Sequence, residues 1–184
     1  MQVPVEGWIR PTMGRVRESL FSMLAHQLPG ATVLDLFAGC GLLGLEALSR
    51  GARQAFFVDL EWKAVQSIEK NVTLCGVPGH NTVLQGNLLH HRTWERIQQR
   101  AAPRLVATPP VENGPFDLVF LDPPYRQGLV GGTLRILAQT SLLAPGALIV
   151  VEQEAEAEPE PVADWHGVQN RRYGDTRLLF WQKP

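Results

Sequence analysis

The fold is decided by residues 33–44, whose sequence is VLDLFAGCGLLG. An apolar strand pattern runs here into a glycine-rich loop and then into a helical pattern. Glycine has no Cβ, so such a loop can turn sharply and let a ligand approach its backbone closely. The stretch therefore predicts a strand, a ligand-binding turn and a helix in immediate succession.

Short apolar runs alternate with helical patterns along most of the chain. We predict strands at 32–36, 54–58, 82–84, 116–121 and 147–151, and helices at 42–50, 62–74, 93–100 and 130–138. This alternation is typical of a parallel sheet covered by helices. Two last strands, 168–172 and 177–182, flank a Gly174-Asp175 turn and predict an antiparallel hairpin. We expect an α/β fold with a central, mostly parallel, seven-stranded sheet that ends in this hairpin.

An amphipathic helix is predicted before the first strand. Apolar residues recur at helical spacing over 13–28, with Thr12 as the expected N-cap. The length of 184 residues, with 45% hydrophobic and 19% charged residues, is ordinary for one globular domain. We therefore expect a single domain over 1–184, in which an N-terminal helical segment, 1–30, covers the cleft of a core at 31–184.

Composition limits the partners and the compartment. The net charge of −1 gives no global attraction to polyanions, so affinity for nucleic acid would come from local basic patches. Cys40 and Cys75 lack disulfide-framework or metal-site spacing, and the adjacent His90 and His91 lack a third ligand. The sequence contains neither an apolar run of membrane-spanning length nor a signal pattern. We expect a cytoplasmic protein with no metal and no membrane partner.

Two stretches interrupt the alternation of strands and helices. Residues 101–115 carry four prolines among small residues and are expected to form a surface loop. Glutamates alternate with Gln, Ala and Pro over 152–160. Because like charges repel, we expect this acidic run to be a solvated loop.

Polar residues follow the predicted strands at the edge where open α/β sheets bind ligands. Asp35 closes the first strand, Asp59 ends the second, and Asn87 follows the third. Residues 39–44 also fit the pattern G-x-G-x-x-G, so a NAD enzyme is a rival interpretation. Asp35 favours S-adenosylmethionine, because a carboxylate attracts its ammonium and would repel a pyrophosphate. Asp59 would then bind the ribose hydroxyls and Asn87 the adenine edge.

The candidate reaction centre is Asp122-Pro123-Pro124-Tyr125, which follows the fourth strand. Consecutive prolines fix φ and remove two amide donors, which leaves a rigid loop of hydrogen-bond acceptors. Two acceptors that grip the hydrogens of an aromatic amine can orient its lone pair toward a sulfonium methyl group. Tyr125 offers a face on which a base can stack. The tetrapeptide thus predicts methyl transfer to an exocyclic amine and leaves the base unspecified.

The chain resembles the bacterial 16S rRNA guanine-N2 methyltransferases of the RsmD type. The resemblance is carried by Arg10-Pro11-Thr12 with Arg15-Val16-Arg17-Glu18, by LDLFAG at 34–39 with GLEALSRGA at 44–52, and by Asp122-Pro123-Pro124-Tyr125. It extends from residue 10 to about residue 183. The tetrapeptide is shared with adenine-N6 DNA methyltransferases, so the first two stretches are the family-specific ones.

The resemblance implies a Rossmann-like class I methyltransferase fold and methylation of guanine N2 in small-subunit rRNA, within an assembled or assembling ribosomal particle. It implies a cofactor site of Asp35, Phe37, Gly39, Gly41, Asp59, Leu60, Asn87 and Leu88. It also implies that Arg10, Thr12 and Arg15 lie over the mouth of the cleft and bind substrate together with Tyr125. A solvated helix face with an Arg15–Glu18 pair is the alternative for these arginines.

Two other functions stay open at this point. A DNA adenine-N6 methyltransferase would normally need an element that enters a groove, and 184 residues leave no separate target-recognition domain. A non-catalytic nucleotide-binding module would not need both an intact cofactor loop and an intact reaction loop. The helix after the glycine loop carries Glu46, which could reach the cofactor amine or pair with a neighbouring arginine. We expect an rRNA-modifying enzyme that acts as a monomer.

Overall fold

The computed structural model describes residues 11–101, 114–125, 127–159, 162 and 164–184, with residues 11–13 described by their backbone alone. A seven-stranded sheet of order β3-β2-β1-β4-β5-β7-β6 forms its centre. The strands are β1 (Thr32–Leu36), β2 (Gln54–Asp59), β3 (Asn81–Gln85), β4 (Phe116–Leu121), β5 (Leu143–Glu154), β6 (His166–Tyr173) and β7 (Thr176–Gln182). The helices are α1 (Pro11–Met23), α2 (Leu42–Ser49), α3 (Trp62–Leu74), α4 (His91–Ala101) and α5 (Leu129–Ala138).

The first five strands run parallel and the last two close the sheet as an antiparallel hairpin. β1 pairs with both β2 and β4, so the strand order reverses on either side of β1. β7 lies antiparallel to β5, and β6 lies antiparallel to β7. The predicted α/β class, the mostly parallel sheet and the terminal hairpin are confirmed.

Helices cover both faces of the sheet and divide the core into two clusters. On one face α1, α2 and α3 bury residues such as Leu20, Leu45 and Ile68 against Phe57 and Phe120. On the other face α4 and α5 pack Trp94, Ile97 and Leu134 against the sheet. The central strands are buried on both sides, which explains why their sequences are continuous apolar runs.

The predicted N-terminal helix, 13–28, is wrong at both ends. α1 begins at Pro11, so Thr12 lies in its first turn and does not precede it as an N-cap. Proline suits a first helical turn because its fixed φ is helical and its missing N–H would be unsatisfied there. The amide of Gln27 donates to the carbonyl of Leu24 at 2.9 Å, and Gly30 at φ +78° turns the chain into β1. The apolar spacing identified the buried residues correctly but overestimated the length of the helix.

Strand β5 is longer than the predicted strand 147–151. Its register with β4 shifts between Phe116 and Leu118, because β5 itself passes through Pro145 and Gly146 there. Proline cannot donate to a sheet ladder, and Gly146 has φ +72°. These residues therefore interrupt the pairing without ending the strand.

The prediction of a solvated loop over the acidic run is wrong for its first part. Glu152 and Glu154 belong to β5 and lie opposite Leu178 and Thr176 of β7. An alternation of period two suits a strand, and pairing with β7 satisfies the backbone while the side chains alternate between faces. Glu160 and residues 102–113 of the proline-rich stretch lie outside the described residues.

Candidate active site

The carboxyl ends of the central strands meet at one edge of the sheet. Leu36 pairs with Val58 on one side and with Leu121 on the other, so the loops after β1, β2 and β4 start at the same level. Asp59 pairs with Gln85, which brings the loop after β3 to this edge as well. The predicted cofactor loop and reaction loop are therefore neighbours.

The loop after β1 has a left-handed backbone at three positions. Phe37 has φ +59°, Gly39 has φ +56° and Gly41 has φ +80°. Glycine adopts this region freely, but at Phe37 it costs energy, and such strain persists where the surroundings impose it. The amide of Gly39 donates to Asp59 Oδ2 at 2.8 Å, which ties this loop to the end of β2. This loop, residues 37–41, is held beside α2 and is called the glycine cradle.

Gly44 allows helix α2 to approach the sheet closely. A Cβ at this position would lie 2.3 Å from Cε1 of Phe57 and 3.0 Å from Oδ2 of Asp35. Its amide donates to that same Asp35 oxygen at 2.8 Å. The last glycine of the pattern therefore serves helix–strand packing, as the pattern predicts.

Asp35 lies beneath the cofactor loop and is 1% exposed. Burial raises the pKa of its carboxyl from 3.8 to about 8; the Gly44 amide opposes this shift and the negative charge of Asp59 adds to it. A buried carboxyl of this kind gains most from a cationic partner, because a nearby positive charge favours its ionised form. Its position fits a role beneath an ammonium group.

Asp59 accepts two backbone hydrogen bonds at the end of β2. Oδ2 accepts from Gly39, and Oδ1 accepts from the amide of Glu61 at 2.9 Å. Each carboxylate oxygen has two lone pairs, so both can also accept a hydroxyl. Next to it, Leu60 is 54% exposed and its carbonyl accepts from Gln85 Nε2.

Asn87 shapes the turn that leads into α4. Its Oδ1 accepts from the amide of Leu89 at 2.9 Å, and its carbonyl accepts from Thr93 Oγ1 at 2.7 Å. Leu88 is 3% exposed and packs in the core, where its carbonyl accepts from Trp94 Nε1. The side chain of Leu88 therefore cannot face an adenine, and any contact there would involve its backbone.

The reaction loop follows β4 and forms one wall of a cleft of about 150 Å³. Pro123, Pro124 and Tyr125 line this wall, and Glu152 and Glu154 of β5 line the other. Asp122 is half-buried at the start of the loop. Burial raises the pKa of Asp122 well above its ordinary value, and the charges of Glu152 and Asp35 raise it further. The reaction loop starts beside the cofactor loop, because the amide of Asp122 donates to the carbonyl of Leu36 at 3.4 Å.

Tyr125 is fixed by two hydrogen bonds to the neighbouring strands. Its hydroxyl donates to Glu152 Oε1 at 3.2 Å and lies 3.0 Å from Thr176 Oγ1. Burial raises the pKa of Tyr125 to about 12. The residue as a whole is 41% exposed, which leaves part of its surface available for stacking.

Glu152 and Thr176 are site residues that the sequence interpretation missed. Glu152 was assigned to a solvated loop, yet it is half-buried at the carboxyl end of β5. Burial raises the pKa of its carboxyl, and the hydrogen bond from Tyr125 lowers it. The signal was available: Leu121 and Val151 end two apolar runs that pair in register, and an acidic residue follows each.

The N-terminal candidates are only partly placed. Arg10 and the side chain of Thr12 lie outside the described residues, and Arg15 is exposed on α1. The positive charge of Arg17 acts on Cys40 of the cofactor loop. It lowers the pKa of the Cys40 thiol, whereas burial raises it. A 2.6 Å hydrogen bond between Ser19 Oγ and the Tyr173 hydroxyl attaches α1 to the hairpin.

Glu46 pairs with Arg50 one turn further along α2, at 2.7 Å. This contact is the second of the two alternatives that the sequence left open for Glu46. Among the residues that the structure describes, no group of three or more His, Cys, Asp or Glu side chains is placed to hold a metal ion. Within the same residues, no helix combines the length and the apolar character needed to span a bilayer.

The strand order, the terminal antiparallel hairpin and the loop after β1 define a Rossmann-like class I methyltransferase fold. The chain belongs to the RsmD-type methyltransferase family, and the family described as "Conserved hypothetical protein 95" matches residues 1–182.

Relatives and solved structures agree with this assignment. The chain is 35% identical to Ribosomal RNA small subunit methyltransferase D of Escherichia coli (strain K12), over 100% of this chain and 84% of that protein. It is 35% identical to Putative rRNA methyltransferase YlbH of Bacillus subtilis (strain 168), over 95% of this chain and 88% of that protein. The solved structure of Putative methyltransferase yhhF from Escherichia coli superposes with a TM-score of 0.77 at 34% identity, over 100% of this chain and 92% of that one.

Proposed function

We propose that this protein transfers a methyl group from S-adenosylmethionine to the exocyclic N2 of a guanine in small-subunit (16S) rRNA. The observation that carries the proposal is the position of Asp122, whose amide donates to the carbonyl of Leu36 at the start of the glycine cradle, while Tyr125 of the same loop lines a cleft. The substrate class is supported by the name of the Escherichia coli relative, a ribosomal RNA small subunit methyltransferase. Guanine N2 is the finer part of the proposal and follows from the sequence resemblance.

The residues present fit S-adenosylmethionine. Asp35 offers a buried carboxylate beneath the loop, where the methionine ammonium would relieve its desolvation. The left-handed backbone at Phe37, Gly39 and Gly41 forms a cradle open to a ligand. Asp59 keeps acceptor capacity on both oxygens for the ribose hydroxyls.

The chain's own residues orient the amine and then relieve it of a proton. When bound, S-adenosylmethionine supplies an electrophilic methyl group on a sulfonium. Asp122 and the proline-rich backbone accept hydrogen bonds from the N2 hydrogens, and the ring of Tyr125 supports the base from one face. These contacts would hold the N2 lone pair toward the methyl group that the bound cofactor would supply. The methylated nitrogen is acidic, so its extra proton can pass to the Asp122 carboxylate or to solvent.

A particle substrate suits the charge of the chain. Its net charge of −1 does not favour naked RNA over other partners, whereas a folded particle can present one nucleotide to the cleft through local contacts. We expect the protein to act as a monomer on the small subunit or on an assembly intermediate. Arg10, Thr12 and Arg15 are proposed to contact this substrate at the mouth of the cleft.

The test compares two aspartates changed in the same way. Asp122→Asn should lower kcat for methyl transfer to small-subunit particles that lack the modification by about a hundredfold or more, because it removes an acceptor used in the transition state. The affinity for S-adenosylhomocysteine should stay within about threefold of wild type, which is near 0.6 kcal/mol. Asp164→Asn is the control, since Asp164 is exposed and precedes β6 at the opposite edge of the sheet. Full activity of Asp122→Asn would contradict the proposed role.

A further inference from the structure

Glu152 lies where it can touch the edge of a base held by the reaction loop. Leu121 and Val151 are partners in the β4–β5 register. Asp122 and Glu152 directly follow these two residues, so they lie at the same level of the sheet. The negative charge of Glu152 raises the pKa of Asp122, as this placement predicts. Glu152 also lines the cleft opposite Pro123 and Pro124. An amine gripped by Asp122 would therefore have Glu152 beside it.

Tyr125 holds the carboxyl of Glu152 in place and is itself in contact with Thr176. The Tyr125 hydroxyl donates its one proton to Oε1 at 3.2 Å. Thr176 Oγ1 lies 3.0 Å from the same hydroxyl and can donate to its oxygen. A carboxylate can accept about four hydrogen bonds, so Glu152 has acceptor capacity beyond the bond from Tyr125. The side chain is oriented before any base enters.

The bases differ in the atom next to the exocyclic amine. In guanine the N2 amine is adjacent to N1–H, so two donors lie side by side. In adenine the N6 amine is adjacent to N1, which carries a lone pair and no hydrogen. Two adjacent carboxylates match the two donors of guanine, N2–H and N1–H. In adenine, the N1 lone pair would face a carboxylate oxygen, and neither acceptor would have a hydrogen-bond donor.

We propose that Glu152 is a specificity-determining residue that accepts the N1–H of guanine while Asp122 accepts an N2–H. The proposal rests on the proposed function and deepens it, because the Asp-Pro-Pro-Tyr loop alone does not distinguish guanine from adenine. Glu152 supplies an acceptor for N1–H from outside this loop. Tyr125 acts on the base edge through its hydrogen bond to Glu152, and Thr176 acts through its contact with Tyr125.

The sharpest probe is 2-aminopurine, which keeps the 2-amino group of guanine but has a lone pair at N1. The nucleotide methylated by the wild-type enzyme is first mapped in small-subunit particles that lack the modification. Particles are then reconstituted with guanine or 2-aminopurine at that position, and kcat/KM is measured for each. The wild type should prefer guanine by roughly a hundredfold or more, because a site built to accept N1–H rejects an analogue without it.

Glu152→Gln should reduce the preference for guanine over 2-aminopurine at least about tenfold, which is near 1.4 kcal/mol. The glutamine amide can donate to the N1 lone pair of 2-aminopurine, and its oxygen can still accept N1–H of guanine. Glu152→Met, with neither donor nor acceptor, should slow transfer to guanine and also reduce the preference. A role confined to orienting Tyr125 would change the rates for both bases equally and leave their ratio unchanged.

Two controls separate recognition from support of the loop. Tyr125→Phe removes the hydroxyl that binds Glu152 but keeps the carboxylate, so it should lower the rates and retain most of the preference. Glu156→Gln changes a glutamate of the same acidic run that is exposed and pairs with Arg172, so it should behave as wild type. An unchanged guanine preference in Glu152→Gln, with its affinity for S-adenosylhomocysteine intact, would overturn the proposal for Glu152 alone. Absence of N2-methylguanine with the wild-type enzyme would overturn the proposed function and this proposal together.

Discussion

Replacement of Asp35 by asparagine should change how the stability of the protein depends on pH. Asp35 is 1% exposed, and its Oδ2 accepts the Gly44 amide at 2.8 Å. Asparagine has nearly the same shape and keeps an oxygen for this hydrogen bond, so the packing of α2 on the sheet should survive. What the substitution removes is a titrating group in a buried position.

The sign and size of the effect follow from the raised pKa. Burial moves the pKa of Asp35 from 3.8 to about 8, so the folded protein holds a proton that the unfolded chain has lost between these pH values. Stability therefore falls as pH rises across this window, by about 1.4 kcal/mol per pH unit for one proton. From pH 5 to pH 7, wild type should lose about 3 kcal/mol relative to Asp35→Asn, or roughly 6–12 °C in Tm.

Urea denaturation of the cofactor-free proteins at pH 5, 6 and 7 measures this difference directly. Asp122 and Glu152 are present in both proteins, so their own titrations cancel to first order when wild type and variant are compared. Parallel pH dependence of the two free energies of unfolding would refute the claim that Asp35 retains its proton. Calorimetry with S-adenosylmethionine completes the test, because loss of the carboxylate should weaken binding at least about tenfold; unchanged affinity would refute its role beneath the ammonium.

The remaining predictions concern packing and catalysis. Gly44→Ala should destabilise the protein by about 1–3 kcal/mol, because its Cβ would overlap the ring of Phe57. Gly14→Ala, in the first turn of α1 with no atom within 4 Å of the new Cβ, should be neutral or stabilising by up to about 1 kcal/mol. Urea denaturation checks both substitutions, and equal effects would contradict the packing argument. The rate of methyl transfer should rise with pH through an inflection above the usual carboxylate range, because Asp122 must be ionised to accept the amine and its pKa is raised by burial and by Glu152. In Glu152→Gln this inflection should move to lower pH, and a pH–rate profile that stays in place would argue against the coupling of the two carboxyls.

The sequence predicted the elements whose burial follows a regular pattern along the chain. The strands at 32–36 and 116–121 and the helix at 62–74 have the predicted bounds, because continuous apolar runs and helical periodicity reflect burial directly. The C-terminal end of α1 depended on the turn after Met23, where the Gln27 amide donates to the Leu24 carbonyl, and periodicity does not contain such a turn. Strand β5 continued through Pro145-Gly146 because pairing with neighbouring strands outweighed the local preference for a turn.

In the candidate site, too, some residues were predictable from the sequence and others were not. Asp35, Asp59 and Asp122 were predictable because each ends an apolar strand, and the parallel sheet brings strand ends together. Glu152 was missed because the run of glutamates at 152–160 was interpreted as a whole from its charge. The position of Glu152 directly after the apolar residues of a strand was not considered separately. The hydrogen bond from Tyr125 to Glu152 joins residues distant in sequence, and no local pattern predicts such a contact.

The central claim is methyl transfer from S-adenosylmethionine to guanine N2 in small-subunit rRNA. The most direct measurement incubates the wild-type protein with methyl-labelled S-adenosylmethionine and small-subunit particles that lack the modification, then identifies the labelled nucleoside by mass spectrometry. Naked rRNA and duplex DNA are treated in parallel. The account predicts label in N2-methylguanine at one position of the rRNA in the particles and none in DNA, whereas label in N6-methyladenine, or no label in rRNA at all, would contradict it.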